Sequence, residues 1–175
     1  MFEEVKIFRT ERTIAVETKA GRSIANLVEL MPDAKGIADY ARFAAQHGGG
    51  WISRTPATGV YNCAGMVWAS RRTSVLDPRL WQQIIDDDGY EWLPKSVFPM
   101  PGDVAAYVDL DADELLHVGR VAYHVEGLSA EGRRVPMIIS KWNSAAGESI
   151  HREYDVPFAK WGFNFEIRYL TDRRL

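Results

Sequence analysis

Two apolar runs, PGDVAAYV at residues 101–108 and LLHVGRVAY at residues 115–123, decide the fold that this sequence predicts. Both runs are rich in β-branched and aromatic residues, and an acidic, turn-forming stretch at residues 109–114 joins them. This pattern predicts two antiparallel strands of a β-hairpin. Two further strands are expected later in the chain, at residues 135–142 and 163–170.

Helices are expected ahead of these strands, because apolar residues recur there with the helical period. One such stretch covers residues 34–46 and ends at the glycine run 48–50. Asp77 is a good N-cap residue and Pro78 suits the first helical position, which predicts a second helix. Helices followed by an antiparallel sheet make an α+β fold, here as a single domain over residues 1–175.

Cys63 is the only cysteine in the sequence, so it cannot form an internal disulfide. It follows Asn62, a favourable N-cap residue, and the sequence after it predicts a helix. The sulfur would then lie beside unpaired backbone N–H groups at the positive end of a helix dipole, where a thiolate is stabilised. The alternative is a buried cysteine that only fills space in the core.

His117 opens the second strand of the predicted hairpin. A cysteine at the start of a helix and a histidine at the start of a strand are the parts of a thiolate–imidazolium pair. The imidazole takes the thiol proton and later returns it to the leaving group. Cys63 and His117 are therefore the predicted catalytic residues.

These motifs resemble the NlpC-type and CHAP-type cysteine amidohydrolases of the papain-like superfamily. The resemblance rests on Asn-Cys-Ala-Gly entering a helix, Pro-Gly-Asp-Val-Ala before one strand and His-Val-Gly-Arg-Val on the next, within residues 60–142. The sequence Ile-Ser-Lys-Trp-Asn followed by His151 is similar to a divergent branch of the group. The common NlpC form has Asp before the cysteine and Ser after it, whereas this chain has Asn62 and Ala64.

The resemblance implies a papain-like fold in which N-terminal helices pack on a central antiparallel sheet. It implies a cysteine peptidase or amidase that cleaves an amide through an acyl-thioester, with a peptidoglycan peptide or a protein amide as substrate. Two alternatives stay open: a deamidating toxin or effector that acts on a protein side-chain amide, and a non-catalytic papain-fold module for binding or structure. The expected partners are a peptide or peptidoglycan-type substrate and, as an open option, an inhibitor or immunity protein.

A third catalytic residue should orient the imidazole from the strand that pairs with the His117 strand. A turn centred at residues 129–130 would place His117 opposite Trp142 or Asn143. The resemblance places the third residue a step or two back along that strand, which points to Ser140. Asn143 would take this role if the register slips.

Another candidate for the third position is His151, from a loop after the strand. The backbone N–H of Cys63 is the expected first donor to an oxyanion, with Asn62 as a supporting residue.

Composition limits the other roles that the chain can have. At 175 residues with 46% hydrophobic content it suits one domain with a full core, and its net charge of −3 provides no general attraction to nucleic acid or anionic membranes. No apolar run approaches the ~18 residues of a spanning helix, and no histidine spacing suggests a metal site. We expect no cofactor, no metal, no nucleic-acid partner and no membrane insertion.

The start of the chain is acidic and lacks a signal-peptide core, so the protein is expected to be cytoplasmic as synthesised. Export by a signal-independent route stays open. The least explained part is residues 1–30, for which an N-terminal strand extension is expected.

Overall fold

The computed structural model describes residues 12–28, 34–47, 50–126, 134–143, 146–157, 159 and 162–173. In this part of the chain, helices pack on a seven-stranded antiparallel sheet, which confirms the expected α+β class. The helices are α1 (Ala34–His47), α2 (Cys63–Trp68) and α3 (Pro78–Asp88). The strands are β1 (Ile52–Ser53), β2 (Glu91–Trp92), β3 (Val104–Asp109), β4 (Glu114–Val125), β5 (Val135–Ser140), β6 (Ser149–Arg152) and β7 (Phe165–Thr171).

The predicted hairpin forms the middle of the sheet, whose strand order is β1-β6-β5-β4-β3-β7-β2. β3 and β4 pair in antiparallel fashion, with Tyr107 opposite His117. β5 then pairs with β4 and β6 with β5, so strands that follow one another in the chain lie side by side. The last strand, β7, returns to pair with β3.

The sheet has two buried faces, because successive side chains of a strand point to opposite sides. The helix face packs against α2 and α3 and contains Val104, Ala106, Val118 and Leu170. The aromatic face packs with tryptophan, tyrosine and phenylalanine side chains and contains Ala105, Tyr107, Val121 and Ile138. Side chains that point to one face therefore belong to a different core cluster from those that point to the other.

Local capping explains where the helices begin and end. The side chain of Asn62 accepts a hydrogen bond from the Gly65 N–H at 2.9 Å, and that of Asp77 accepts one from the Arg79 N–H at 2.9 Å. α3 ends at Gly89, whose φ of 74° is in the left-handed region that glycine adopts without a Cβ clash. Among the described helices, none is long and apolar enough to cross a bilayer.

The described N-terminal segment, residues 12–28, folds back on itself through two isolated antiparallel bridges. A third bridge joins Leu27 to Ser74, so this segment is attached beside the connection between α2 and α3. The remainder of the expected strand extension in residues 1–30 lies outside the described residues, as does the expected turn at residues 129–130.

Candidate functional site

Cys63 is the first residue of α2, and its side chain belongs to the core cluster on the helix face. The backbone N–H groups of Cys63, Ala64 and Val118 lie near its sulfur and oppose the rise of its pKa. Val118 follows His117 directly in β4. The sulfur therefore lies against β4, the strand that carries the predicted base, at the residue directly after His117.

Burial dominates the ionisation of this thiol. Cys63 is only 8% exposed, and desolvation raises the pKa of its thiol to about 11, although the three N–H groups and the Lys141 ammonium oppose that shift. α2 has six residues, so few peptide dipoles add up at its start and the macrodipole is weak. The thiol is therefore protonated at neutral pH, contrary to the thiolate that the sequence predicts.

His117 is buried on the aromatic face. Its ring stacks on Trp142 with 4.1 Å between centroids and 13° between planes, and lies 5.5 Å from the ring of Tyr107. Burial first, and the neighbouring His151 second, lower the pKa of His117 to about 3. At neutral pH the imidazole is uncharged, which is the form that accepts a proton.

The two predicted catalytic side chains thus approach β4 from different sides. Cys63 packs with the helix face, whereas the His117 ring packs among the residues of the aromatic face. In this state the site holds a neutral thiol and a neutral imidazole beside one strand, not the predicted ion pair.

Two of the predicted candidates for the third position, Ser140 and His151, lie on the same side of the sheet as His117. Ser140 ends β5, and a Cβ atom added to Gly119 would lie 2.8 Å from its Oγ. The ring of His151 lies 5.1 Å from that of Trp142.

The structure corrects the expected location of His151, which is on strand β6 and not in a loop. It pairs with Ile138 of β5. A strand of four residues is too short for its periodicity to be recognised in the sequence, and the pairing with β5 decides it.

Two buried polar atoms of this group have no hydrogen-bond partner among the described residues: Ser140 Oγ and His151 Nε2. The other ring nitrogen of His151, Nδ1, donates to the Arg152 carbonyl at 2.7 Å, which leaves Nε2 as the acceptor. Buried polar atoms are nearly always hydrogen-bonded in folded proteins. Ser140 and His151 therefore offer acceptors that no other described group uses.

Asn62, the expected support of an oxyanion, has a structural role. Its Oδ1 accepts hydrogen bonds from the N–H groups of Gly65 and Val75, and its Nδ2 donates to the Val75 carbonyl at 2.8 Å. The amide is committed to capping α2 and to holding the chain at Val75. Asn143 is exposed and lies beyond the end of β5.

The Ile-Ser-Lys-Trp-Asn motif includes Lys141 but predicts no role for it, and the structure places this lysine, fully buried, beside the thiol. Its Nζ donates to three carbonyl oxygens, those of Thr58 at 2.7 Å, Asn143 at 2.8 Å and Ala146 at 2.7 Å. Burial lowers the pKa of Lys141 to about 8. The three acceptors favour the ammonium, because a neutral amine can donate only two hydrogens. The signal in the sequence is a lysine that directly continues an apolar strand.

A buried carboxylate, Glu148, accompanies this lysine. It accepts hydrogen bonds from the Tyr61 hydroxyl at 2.8 Å and from the guanidinium groups of Arg54 and Arg71. Burial alone would raise the pKa of Glu148, but the hydrogen bonds from Arg71, Tyr61 and Arg54 outweigh it and lower the pKa. Lys141 and Glu148, which we call the buried strap, join the segment before Cys63 to the segment before β6.

Two grooves mark the surface of the described residues, and neither is lined by Cys63 or His117. The larger, about 840 Å³, lies between residues 93–99, the start of β5 and strand β7. The smaller, about 200 Å³, lies between α1 and β6. The described residues include no cluster of three His, Cys, Asp or Glu side chains suited to a metal ion.

Comparisons of the chain with protein-family models, with curated proteins and with solved structures find no match. The resemblance to NlpC-type and CHAP-type enzymes therefore stays a prediction from the motifs, and a function has to be argued from the site itself.

Proposed function

We propose that this protein is a cysteine hydrolase in which Cys63 attacks an amide carbonyl and forms an acyl-thioester. The observation that carries the proposal is the surroundings of the sulfur, which faces the backbone N–H groups of Cys63, Ala64 and Val118 and the charge of Lys141. Donors and cations in a water-poor site stabilise the negative charge that develops in acyl transfer. The N–H groups of Cys63 and Ala64 belong to the helix start, whereas the Val118 N–H and the Lys141 ammonium come from other parts of the chain.

The reaction would begin from the neutral forms. As the sulfur bonds to the carbonyl carbon, the thiol proton passes to the imidazole of His117, and the carbonyl oxygen takes the negative charge. The C–N bond then breaks, and the imidazolium returns the proton to the departing nitrogen. Water cleaves the thioester and regenerates the thiol. Transfer of the first proton requires substrate binding to bring the sulfur and the ring together.

Ser140 and His151 are the proposed candidates for orienting His117. Each presents a buried acceptor on the same face of the sheet. An acceptor for the ring N–H holds the imidazole in the tautomer whose other nitrogen can take the thiol proton.

The proposed substrate is a peptidoglycan stem peptide or a protein amide, on the strength of the motifs. A glutamine or asparagine side chain would follow the same steps with ammonia as the leaving group, as in a deamidating effector. Peptide-bond cleavage yields two fragments, whereas deamidation leaves one chain in which NH₂ is replaced by OH.

The test is mass spectrometry of purified muropeptides and candidate proteins after incubation with the wild type and with variants. Cys63→Ala is expected to abolish turnover and keep the native circular-dichroism spectrum, and His117→Ala is expected to lose activity as well. His124→Ala is the matched control, because this histidine binds the Pro99 carbonyl at 2.9 Å, away from the thiol. Full turnover by Cys63→Ala would refute the proposal.

The closed state of the site favours a second candidate, a non-catalytic binding or structural module. Cys63 is 8% exposed and His117 is 3% exposed, with the Trp142 ring stacked on the imidazole. On this proposal the wild type and Cys63→Ala bind the same partner with equal affinity and neither turns it over.

A further inference from the structure

The proposed reaction assigns no chemical step to the buried cation Lys141. Of the three carbonyl oxygens that bind its ammonium, two belong to the segment between β5 and β6, and the third, that of Thr58, belongs to the segment that leads to Cys63. The lysine therefore joins two segments that meet at the start of α2. With every N–H of the ammonium engaged, its position is defined.

The charge of this ammonium also reaches the thiol. The ammonium lies 5.3 Å from the ring centre of Tyr61, two residues before Cys63, and both residues belong to the same core cluster. In agreement with this proximity, Lys141 lowers the pKa of the thiol, and the thiolate raises the pKa of the lysine. A fixed charge acts more strongly in such a buried site than in water.

Three other titratable side chains from the elements around the thiol keep one charge state near neutral pH. His117, from β4, has a pKa of about 3 and is neutral, whereas Glu148, directly before β6, has a lowered pKa and is ionised. Burial raises the pKa of Tyr61, which stays protonated. Arg120, also from β4, donates to a carbonyl at the far end of α2. Among these groups, Lys141 is the one that changes charge in mildly alkaline solution.

We propose that Lys141 is a positioning residue of the nucleophile: it ties together the two segments around the start of α2 and supplies the fixed positive charge that favours the Cys63 thiolate. The catalytic role of Lys141 rests on the proposed function. Its effect on the ionisation of the Cys63 thiol can be measured without any substrate.

The experiment measures how fast methyl methanethiosulfonate labels the protein as a function of pH, by intact mass. The chain has one cysteine, so the added mass reports Cys63 alone. Lys141→Met is expected to slow labelling at neutral pH by about tenfold, the order of effect that a nearby fixed charge has on a buried anion. Lys141→Arg keeps the charge and is expected to stay within about threefold of the wild type.

The matched control is Lys95→Met, which removes a lysine whose side chain is 89% exposed, and it is expected to label like the wild type. Labelling of a folded Lys141→Met protein at the wild-type rate would overturn the proposal.

A second measurement uses the wild type only, because Lys141→Met leaves three carbonyl oxygens without their donor and could fail to fold. When the pH rises past about 8, the pKa of Lys141, the positive charge is lost. The logarithm of the labelling rate should then bend below the unit slope of an isolated thiol. A straight line through this range would overturn the role of Lys141. Absence of turnover on every amide tested, with the bend present, would instead refute the proposed function.

Discussion

Replacing the buried acid of the strap, Glu148→Gln, tests whether the segment before Cys63 is held by this carboxylate. The side chain of Glu148 is fully buried and binds the guanidinium groups of Arg54 and Arg71 and the Tyr61 hydroxyl. Glutamine has the same shape, but it removes the charge and turns one acceptor into a donor that faces other donors. The variant is expected to fold with lower stability.

The size of the loss follows from the exposure of the partners. Removing one partner of a buried ion pair costs about 3–5 kcal/mol when the other charge stays buried. Arg54 and Arg71 are 43% and 42% exposed, so water compensates part of the loss, and we expect roughly 2–3 kcal/mol. For a chain of this length that lowers the melting temperature by roughly 5–10 °C.

Denaturant and thermal unfolding monitored by circular dichroism provide the measurement. Glu126→Gln is the matched control, because that carboxylate is 76% exposed and pairs with an Arg134 side chain that is 62% exposed. Its loss should cost less than about 0.5 kcal/mol. Equal stability of Glu148→Gln and Glu126→Gln would refute the reasoning.

The same acid predicts a dependence on pH. The pKa of Glu148 is lower in the folded protein than in the unfolded chain, because Arg71, Tyr61 and Arg54 bind the carboxylate. Its contribution is complete above the unfolded pKa of about 4.3 and is lost as the pH falls through the folded pKa. The stability gap between wild type and Glu148→Gln should therefore narrow in acid, and a constant gap would contradict this assignment.

Two other substitutions probe the burial of His117 and the close packing of Gly65, in α2, against the backbone of Thr73. Trp142→Ala opens one side of His117, so the pKa of the imidazole should rise from about 3 toward its ordinary value, measured by NMR titration; an unchanged midpoint would show that other groups bury the ring. A Cβ at Gly65 would lie 1.7 Å from a backbone oxygen, so Gly65→Ala should cost more than about 3 kcal/mol or prevent folding. Gly21 is the matched control, because a Cβ there would meet open space and only its φ of 76° disfavours alanine. Gly21→Ala should lower the free energy of unfolding by only about 1 kcal/mol. Equal melting temperatures for the two glycine variants would contradict the close packing at Gly65.

Local physics explains which parts of the fold were predictable. The caps at Asn62 and Asp77 and the left-handed end at Gly89 depend on residues within a turn of each other, so their sequence signals are complete. Apolar runs made β3, β4 and β5 recognisable, and the alternation of apolar with polar residues did so for β7. The two-residue strands β1 and β2 and the four-residue β6 depend on a neighbour that is distant in the chain.

Register is a second property that simple alternation does not predict. Counting along β4 from His117 puts His124 on the other face. The shift of register between Val121 and Tyr123 instead pairs His124 with Pro136, on the same side as Ile138 and the aromatic face. A β-bulge adds one residue to one strand, and only the pairing reveals it.

The sequence alone determined the class of fold, the start of the cysteine helix and the neighbourhood of Cys63 and His117 on adjoining elements. Tertiary structure alone decided their charge. Burial raises the pKa of the thiol to about 11 and lowers that of the imidazole to about 3, and the opposing charge comes from Lys141, far along the chain. The pKa values depend on how completely side chains from distant parts of the chain exclude water, and this burial cannot be predicted from the local sequence.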